Sequence, residues 1–300
     1  ISIKNKTAPA EIIKRGGNFC IHIYADFIPD FSIGREFEEG KTTWLNTRGF
    51  QVGGNVGKTF SFYLNGFENQ GKFAKYYNDY VVQNQVVPGQ GYGKLATETQ
   101  DWAYVTALLS YTPSKYLNFA LGYDKNFIGD GYRSLLLSDA ASPYPYFKIN
   151  TTFWKIKYTN TYMWLKDVRN EVTDEKTYAT KYMANHYLSW NVTKRFNLGF
   201  FESVIWSNTN DRGFDFNFVN PIIFYRAVEF SSSSKSGNAV LGLTSKYKLN
   251  NQFNLYGQFL LDEFSLGDVK EGNDSWKNKY GFQLGAKYYD AFTVTYNANL

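Results

Sequence analysis

The chain has 300 residues, 19% aromatic and 20% charged, with a formal charge of +5. Its apolar mass therefore sits in Tyr, Phe and Trp rather than in the aliphatic residues that usually fill a soluble core. One cysteine (Cys20) and two histidines (His22, His186) exclude a disulfide framework and a cysteine-based zinc site, and leave little for histidine-centred chemistry; the unclustered positive charge excludes a nucleic-acid footprint.

The first residues, ISIKNKTAPAEIIKRGG, carry no apolar h-region and no cleavage site. Residues 1–19 are read as an N-terminal extension of a processed chain, ahead of a single β-domain over 20–300. No window approaches the roughly 18 apolar residues of a transmembrane helix. The mean hydropathy of −0.42 has another origin: apolar and polar residues alternate one by one, the period of a strand with one wet face.

In chain order, strands are predicted at 20–28, 45–56, 59–68, 101–112, 116–124, 144–150, 153–165, 178–191, 195–206, 236–249, 252–262, 277–289 and 291–300. In the seventh, Trp154, Ile156, Tyr158, Tyr162 and Trp164 oppose Lys155, Lys157, Thr159 and Thr161. Near the end, Tyr280, Phe282, Leu284, Ala286 and Tyr288 oppose Lys279, Gly281, Gln283, Gly285 and Lys287. Most of these runs exceed the usual strand of about 5–6 residues and match the roughly 9–11 needed to cross a bilayer.

Tight connections (Gly57–Lys58, Thr112–Lys115, Val192–Lys194, Asn250–Asn251, Asp290) alternate with long polar ones near 29–44, 69–100, 125–143, 166–177, 207–235 and 263–276. Strict alternation of short periplasmic turns and long external loops is the signature of an outer-membrane barrel. The strand at 144–150 rests on this parity, with a turn expected at Asn150–Thr152. The expected fold is all-β, an antiparallel transmembrane β-barrel. Thirteen strands is an odd number for a closed bacterial barrel, so the expectation is a fragment with more strands after Leu300. A soluble β-sandwich, such as a carbohydrate-binding module, would also alternate. Strand length, loop parity and aromatics at strand ends (Trp154, Trp190, Trp206, Tyr288) favour the membrane.

Two segments could carry chemistry. In YDKNFIGDGYRSLLLSDAASPYPYF (123–147), Gly129 and Gly131 permit positive φ, and Asp124, Asp130 and Arg133 are close enough in sequence to form an ion pair that pins a loop. Pinning is favoured over direct ligand contact, with SLLLS outside or folded into the mouth. In RGFDFNFVNPIIFYRAVEF (212–230), Asn220–Pro221 marks a turn, Arg226 and Glu229 suit an i, i+3 pair on a short helix, and an ordered plug-like loop is the favoured reading. If the polar sides face inward, Lys155, Lys157, Lys246, Lys248, Lys279 and Lys287 form a basic lumen wall, suited to anionic glycans or phosphorylated lipids unless the lysines pair with acids such as Asp262 and Glu202 or sit at the periplasmic rim. His186 falls on the apolar side of its strand and reads as interfacial.

The GDGYRSLLLSDAASPYPYF block, the FWKIKYTN strand and the downstream NPIIFYR together resemble the Wzi-type capsule-assembly outer-membrane family, closest to its gliding-motility members of the RemB kind. The matching positions are Gly129, Gly131, Arg133, Asn220, Pro221 and Arg226. The resemblance implies a barrel of about eighteen strands, five more than are read here, with loops and a small helical element restricting the pore. It also implies an outer-membrane location and no catalysis; no cofactor and no metal are expected. The implied partners are outer-membrane lipid, surface polysaccharide, and motility or secretion proteins. A diffusion porin for anionic solutes is the other membrane reading. An enzymatic barrel finds no Ser/His/Asp constellation, although sequence leaves paired carboxylates open.

Overall fold

The computed structural model describes residues 10–16, 19–95, 98–167, 179–208, 213–222, 237–262, 279–290 and 298–299. The chain is all-β. Its strands are β1 (Ala10–Gly16), β2 (Phe19–Arg35), β3 (Thr42–Val56), β4 (Phe60–Lys72), β5 (Val86–Val87), β6 (Gly91–Leu95), β7 (Gln100–Ser114) and β8 (Leu117–Asp124). The second half adds β9 (Tyr144–Phe153), β10 (Ile156–Asp167), β11 (Ala179–Asn191), β12 (Phe196–Ser207), β13 (Asn238–Lys248), β14 (Phe253–Asp262), β15 (Lys279–Tyr288) and β16 (Ala298–Asn299). One helix, α1 (Lys75–Asn84), precedes the β5–β6 pair between β4 and β7.

Every strand on the main path lies antiparallel beside its neighbour in sequence, from β1 to β4 and then from β7 to β16. This is a meander, the topology that alternating hairpins dictate. Twelve of the thirteen predicted strands coincide with β2–β4 and β7–β15; the thirteenth, 291–300, lies almost wholly outside the described residues.

Four boundaries differ from expectation. Ala10–Gly16, placed in the N-terminal extension, is a strand paired with β2. The long loop expected at 29–44 shrinks to 36–41, because β2 continues through Pro29 to Arg35. Its outward positions there, Phe31 and Ile33, keep the apolar alternation that the proline obscured. The turn expected at Asn150–Thr152 falls instead at Trp154–Lys155, with Trp154 at φ 50°. Finally, the loop at 69–100 is a folded insertion containing α1.

The two faces of the sheet have reversed polarity relative to a soluble protein. Residue by residue, a row of neighbours on one face runs Leu109, Leu121, Phe147, Tyr162, Ala184, Val204 and Ala239. Much of this face is open to the surroundings: Phe50, Leu64, Val105, Leu121, Leu243, Phe259, Phe282 and Leu284 are all exposed. The opposite face buries Asn69, Thr106, Thr161, Asn185, Ser203, Thr244 and Gln258. A sandwich would cover its apolar face with a second sheet about 10 Å away, yet the described strands beyond the small β5–β6 pair form one sheet with no second sheet over its apolar face. Lipid is the medium that satisfies such a face, and the hydrogen-bonded strands leave few amides to meet it.

The short turns gather at one end. Gly57 (φ 65°) closes the β3–β4 turn, its N–H donating to the Cys20 carbonyl at 2.8 Å. Asn250 Oδ1 accepts from the backbone N–H groups of Gln252 and Phe253, and Thr193 Oγ1 from those of Arg195 and Phe196. The α1 insertion and the segment 125–143 spring from the other end.

Candidate functional site in the lumen

The segment 125–143 lies against the polar, inward face of the sheet, opposite the lipid-facing side. The apolar run SLLLS explains why it enters. Leu136 is buried among Tyr144, Tyr146, Met163, Met183 and Phe201, inward-facing residues of β9–β12. Burying one leucine contributes roughly 1.5–3 kcal/mol, which helps hold an otherwise polar segment inside. Gly242 of β13 makes room for it, since a Cβ there would collide with the Leu136 side chain.

Hydrogen bonding fixes the register of this plug. The Gln258 side chain of β14, 4% exposed, receives the backbone N–H of Leu135 at 2.9 Å. Its amide nitrogen donates to the Ile128 carbonyl at 3.2 Å and to Ser134 Oγ at 3.0 Å. Gln283 of β15 donates to the Arg133 carbonyl at 3.2 Å. Within the plug, Ile128 N–H donates to Leu137 O at 2.9 Å, so the loop carries its own small β-bridge. Gln258 was legible only as one polar position in an alternating strand.

The two glycines earn their place through proximity to the wall. A Cβ on Gly129 would strike the Gln258 side chain, and one on Gly131 would sit 2.8 Å from the Arg133 carbonyl and 3.1 Å from Tyr256. Positive φ, the sequence argument for both, is not what requires glycine at Gly131.

The expected Asp124–Asp130–Arg133 cluster divides. Asp130 pairs with Lys246 of β13 at 2.5 Å, tying plug to wall. Asp124, at the end of β8, accepts a short hydrogen bond from the Tyr63 hydroxyl of β4 and a bond from the backbone N–H of Lys125 at 2.7 Å. Arg133 is exposed and makes no salt bridge among the described residues; its carbonyl is what the wall holds.

Of the basic wall, Lys157, Lys246, Lys248, Lys279 and Lys287 occupy inward positions by register. Lys279 faces Asp262 across β14–β15, and Lys287 stacks over the Tyr256 ring at 5.9 Å. Lys155 is a correction: the displaced turn puts it at the rim, over the Trp154 ring at 5.2 Å.

The second segment takes an unexpected place. Phe218 is fully buried against Tyr162, Tyr182, Ala184, Val204 and Trp206, with Phe214 beside it. Those wall residues belong to the outward face, so 213–222 is an external strap rather than the plug that was expected. Asn220 Oδ1 accepts from Ile222 N–H at 3.1 Å, and the Asn220 main chain is hydrogen-bonded to His186. Arg226 and Glu229 lie outside the described residues.

The α1 insertion packs inward at the long-loop end. Val81 and Val87 bury themselves against Trp102, whose indole N–H donates to Gln90 Oε1 at 2.6 Å. The N-terminus of α1 lacks a side-chain cap of its own. Glu36, from the β2–β3 connection, accepts the Lys75 N–H at 3.0 Å instead and serves one of the orphan amides.

No protein-family model and no curated protein sequence matches the chain. Among solved structures it is similar to the siderophore receptor PiuA from Acinetobacter baumannii, at 12% identity and a TM-score of 0.38, over 93% of this chain and 48% of that one. It is also similar to the copper transporter OprC, at 10% identity and a TM-score of 0.35, with the same coverage of 93% and 48%. The chain thus spans about half the length of both structures, and likenesses this distant carry no functional argument.

Proposed function

We propose that this chain forms the wall of a non-catalytic outer-membrane barrel whose lumen it narrows with its own 125–143 segment. In this reading it serves a surface apparatus, holding cell-surface glycan or motility and secretion partners at the long-loop end. The observation that carries the proposal is the Gln258–Leu135–Ile128 set of hydrogen bonds, which seats a leucine-anchored plug on the inward face of a sheet whose other face is apolar and open. A built-in obstruction suits holding or gated passage better than free diffusion. The resemblance of 129–147 and Asn220–Pro221 to capsule-assembly and gliding-motility barrels supports the surface role. The α1 insertion sits at the long-loop end, 125–143 lies within, and 213–222 lies along the outside.

Membrane fractionation together with single-channel recording tests the first part. The protein should enter the outer-membrane fraction and show little steady conductance, and removal of residues 127–138 should open it. A large steady conductance in the intact protein would favour the diffusion porin. For the glycan role, capture of surface polysaccharide should weaken in an Arg133→Ala or Arg226→Ala variant. Unchanged capture by both would leave the motility or secretion role alone.

A further inference from the structure

Beneath the plug, toward the short turns, the inward face surrounds a cavity of about 660 Å³. Four cationic side chains line it, Lys194, Arg195, Lys246 and Lys248, against one carboxylate, Asp130. The positive face continues past its edge: Lys157 lies beside the lining residue Ser189, and Lys287 beside Asn254. Cations that line one cavity repel, and a counter-anion relieves that repulsion, although the exposure of Lys194, Arg195 and Lys248 to solvent weakens it. Among the described lining residues the single carboxylate belongs to the plug and already pairs with Lys246.

Apart from Phe196, the rest of the lining is neutral and hydrogen-bonding, including four asparagines and the Tyr187 hydroxyl, which also meets Thr244 Oγ1 at 2.8 Å. The Asn254 Oδ1 atom is buried and has no hydrogen-bond partner among the described residues. Amides that both donate and accept, a phenol and a surplus of cations are the groups that recognise a hydroxyl-rich molecule bearing negative charge.

We infer that this cavity binds an anionic saccharide, its carboxylate or phosphate held by Lys194, Arg195 and Lys248 and its hydroxyls by the asparagine amides. Access is from the short-turn end, which is the periplasmic side; that sidedness rests on the outer-membrane reading above, whereas the binding chemistry does not. Asp130 is the internal competitor. A ligand acid reaching Lys246 displaces the plug's carboxylate, so occupancy loosens one of the ties that seat the plug.

Titration calorimetry on the intact detergent-solubilised protein tests this with four probes: hexagalacturonate, glucose 6-phosphate, maltohexaose and inorganic phosphate. Hexagalacturonate or glucose 6-phosphate should bind and maltohexaose should not; which acid binds tells carboxylate from phosphate. Raising NaCl from about 50 to about 300 mM should weaken binding about tenfold or more. The triple variant K194Q/R195Q/K248Q should lose at least about tenfold, as expected for charge-assisted contacts, and Asp130→Asn should tighten binding by freeing Lys246. Equal binding of maltohexaose, an unaffected triple variant, or binding of inorganic phosphate alone (an adventitious ion only) would each overturn the inference. Heat-modifiable migration of each variant on gels confirms a folded barrel. Because binding is read in detergent, its failure is distinct from a failure to localise to the outer membrane.

Discussion

His186 and Glu202 face each other across β11 and β12 on the outward side of the sheet, with Asn160 next in the same row. All three are buried, at 0%, 3% and 5% exposure, on a face otherwise made of hydrocarbon-facing aromatics and leucines. Polar groups in contact with lipid tails are costly. The strap resolves this: Phe218 and Phe214 cover the rows above, and the Asn220 main chain meets His186. The exposed side chains Phe216, Val219 and Ile222 give the strap an apolar exterior of its own.

Phe218→Ala should therefore cost about 3–5 kcal/mol, the usual range for a fully buried aromatic. Urea unfolding in detergent, followed by tryptophan fluorescence, measures it. A midpoint unchanged from wild type would show that the strap does not pack on the wall.

Gln258→Leu should release the plug. The substitution keeps a side chain of similar size but takes the wall partner from the Leu135 N–H, while the Ile128 carbonyl keeps its bond from Ser134; because Leu135 is partly open to solvent, the loss costs about 1 kcal/mol. Conductance should rise above wild type while urea stability of the barrel changes little, because the strand ladder is untouched. Limited proteolysis within 127–138 should accelerate. If both readouts match wild type, Leu136 packing alone seats the segment.

Gly131→Ala should be destabilising even though alanine is usually tolerated in loops. Its Cβ would lie 2.8 Å from a main-chain carbonyl and 3.1 Å from the Tyr256 ring, so plug or wall must shift, at about 1–3 kcal/mol for overpacking of this kind. Conductance noise and the rate of cleavage within 127–138 report it. Gly281→Ala is the contrasting control, its added Cβ meeting only Leu135 Cδ1 at an ordinary 3.7 Å.

Strand order, strand length and the polarity of the faces were legible because a spanning strand must satisfy two media at once, writing a period of two into each run. What sequence concealed was the side on which a loop docks. SLLLS and FDFNFV are both apolar runs flanked by turn residues, yet one lies inside against Met163 and Met183 and the other outside against Tyr162 and Tyr182. The deciding partners are adjacent residues on the same strands, pointing opposite ways, and nothing local to either loop specifies which it will meet. Parity required a strand at 144–150 but could not place its turn. Trp154 holds that turn in a left-handed conformation that asparagine would adopt more readily, and the shift moved Lys155 from lumen to rim. Asp130 pairs with Lys246 rather than with Arg133, and that partner lies 116 positions away on β13, beyond any local spacing rule.

The α1 insertion yields the last expectation, one with a sign in pH. Lys72 and Glu98 bracket its base, 3.0 Å apart. The Lys72 ammonium, by hydrogen bond and by charge, holds the Glu98 carboxyl below its ordinary value. A carboxyl lowered in the folded state stabilises that state above its unfolded pKa and stops doing so as pH falls through the lowered value. Acidification should therefore loosen the insertion, and Glu98→Gln should reproduce at neutral pH what acid does to this pair. Glu98 is solvent-exposed and Lys72 only partly buried, so the effect is small and screened by salt. Hydrogen exchange of the α1 amides, corrected for the intrinsic pH dependence of exchange, is sensitive enough to read it. Trp102→Ala, which removes the surface under Val81 and Val87, sets the upper limit of loosening. Glu98→Gln protection identical to wild type, with the Trp102 variant clearly loosened, would show that the helix is held by its apolar contacts alone.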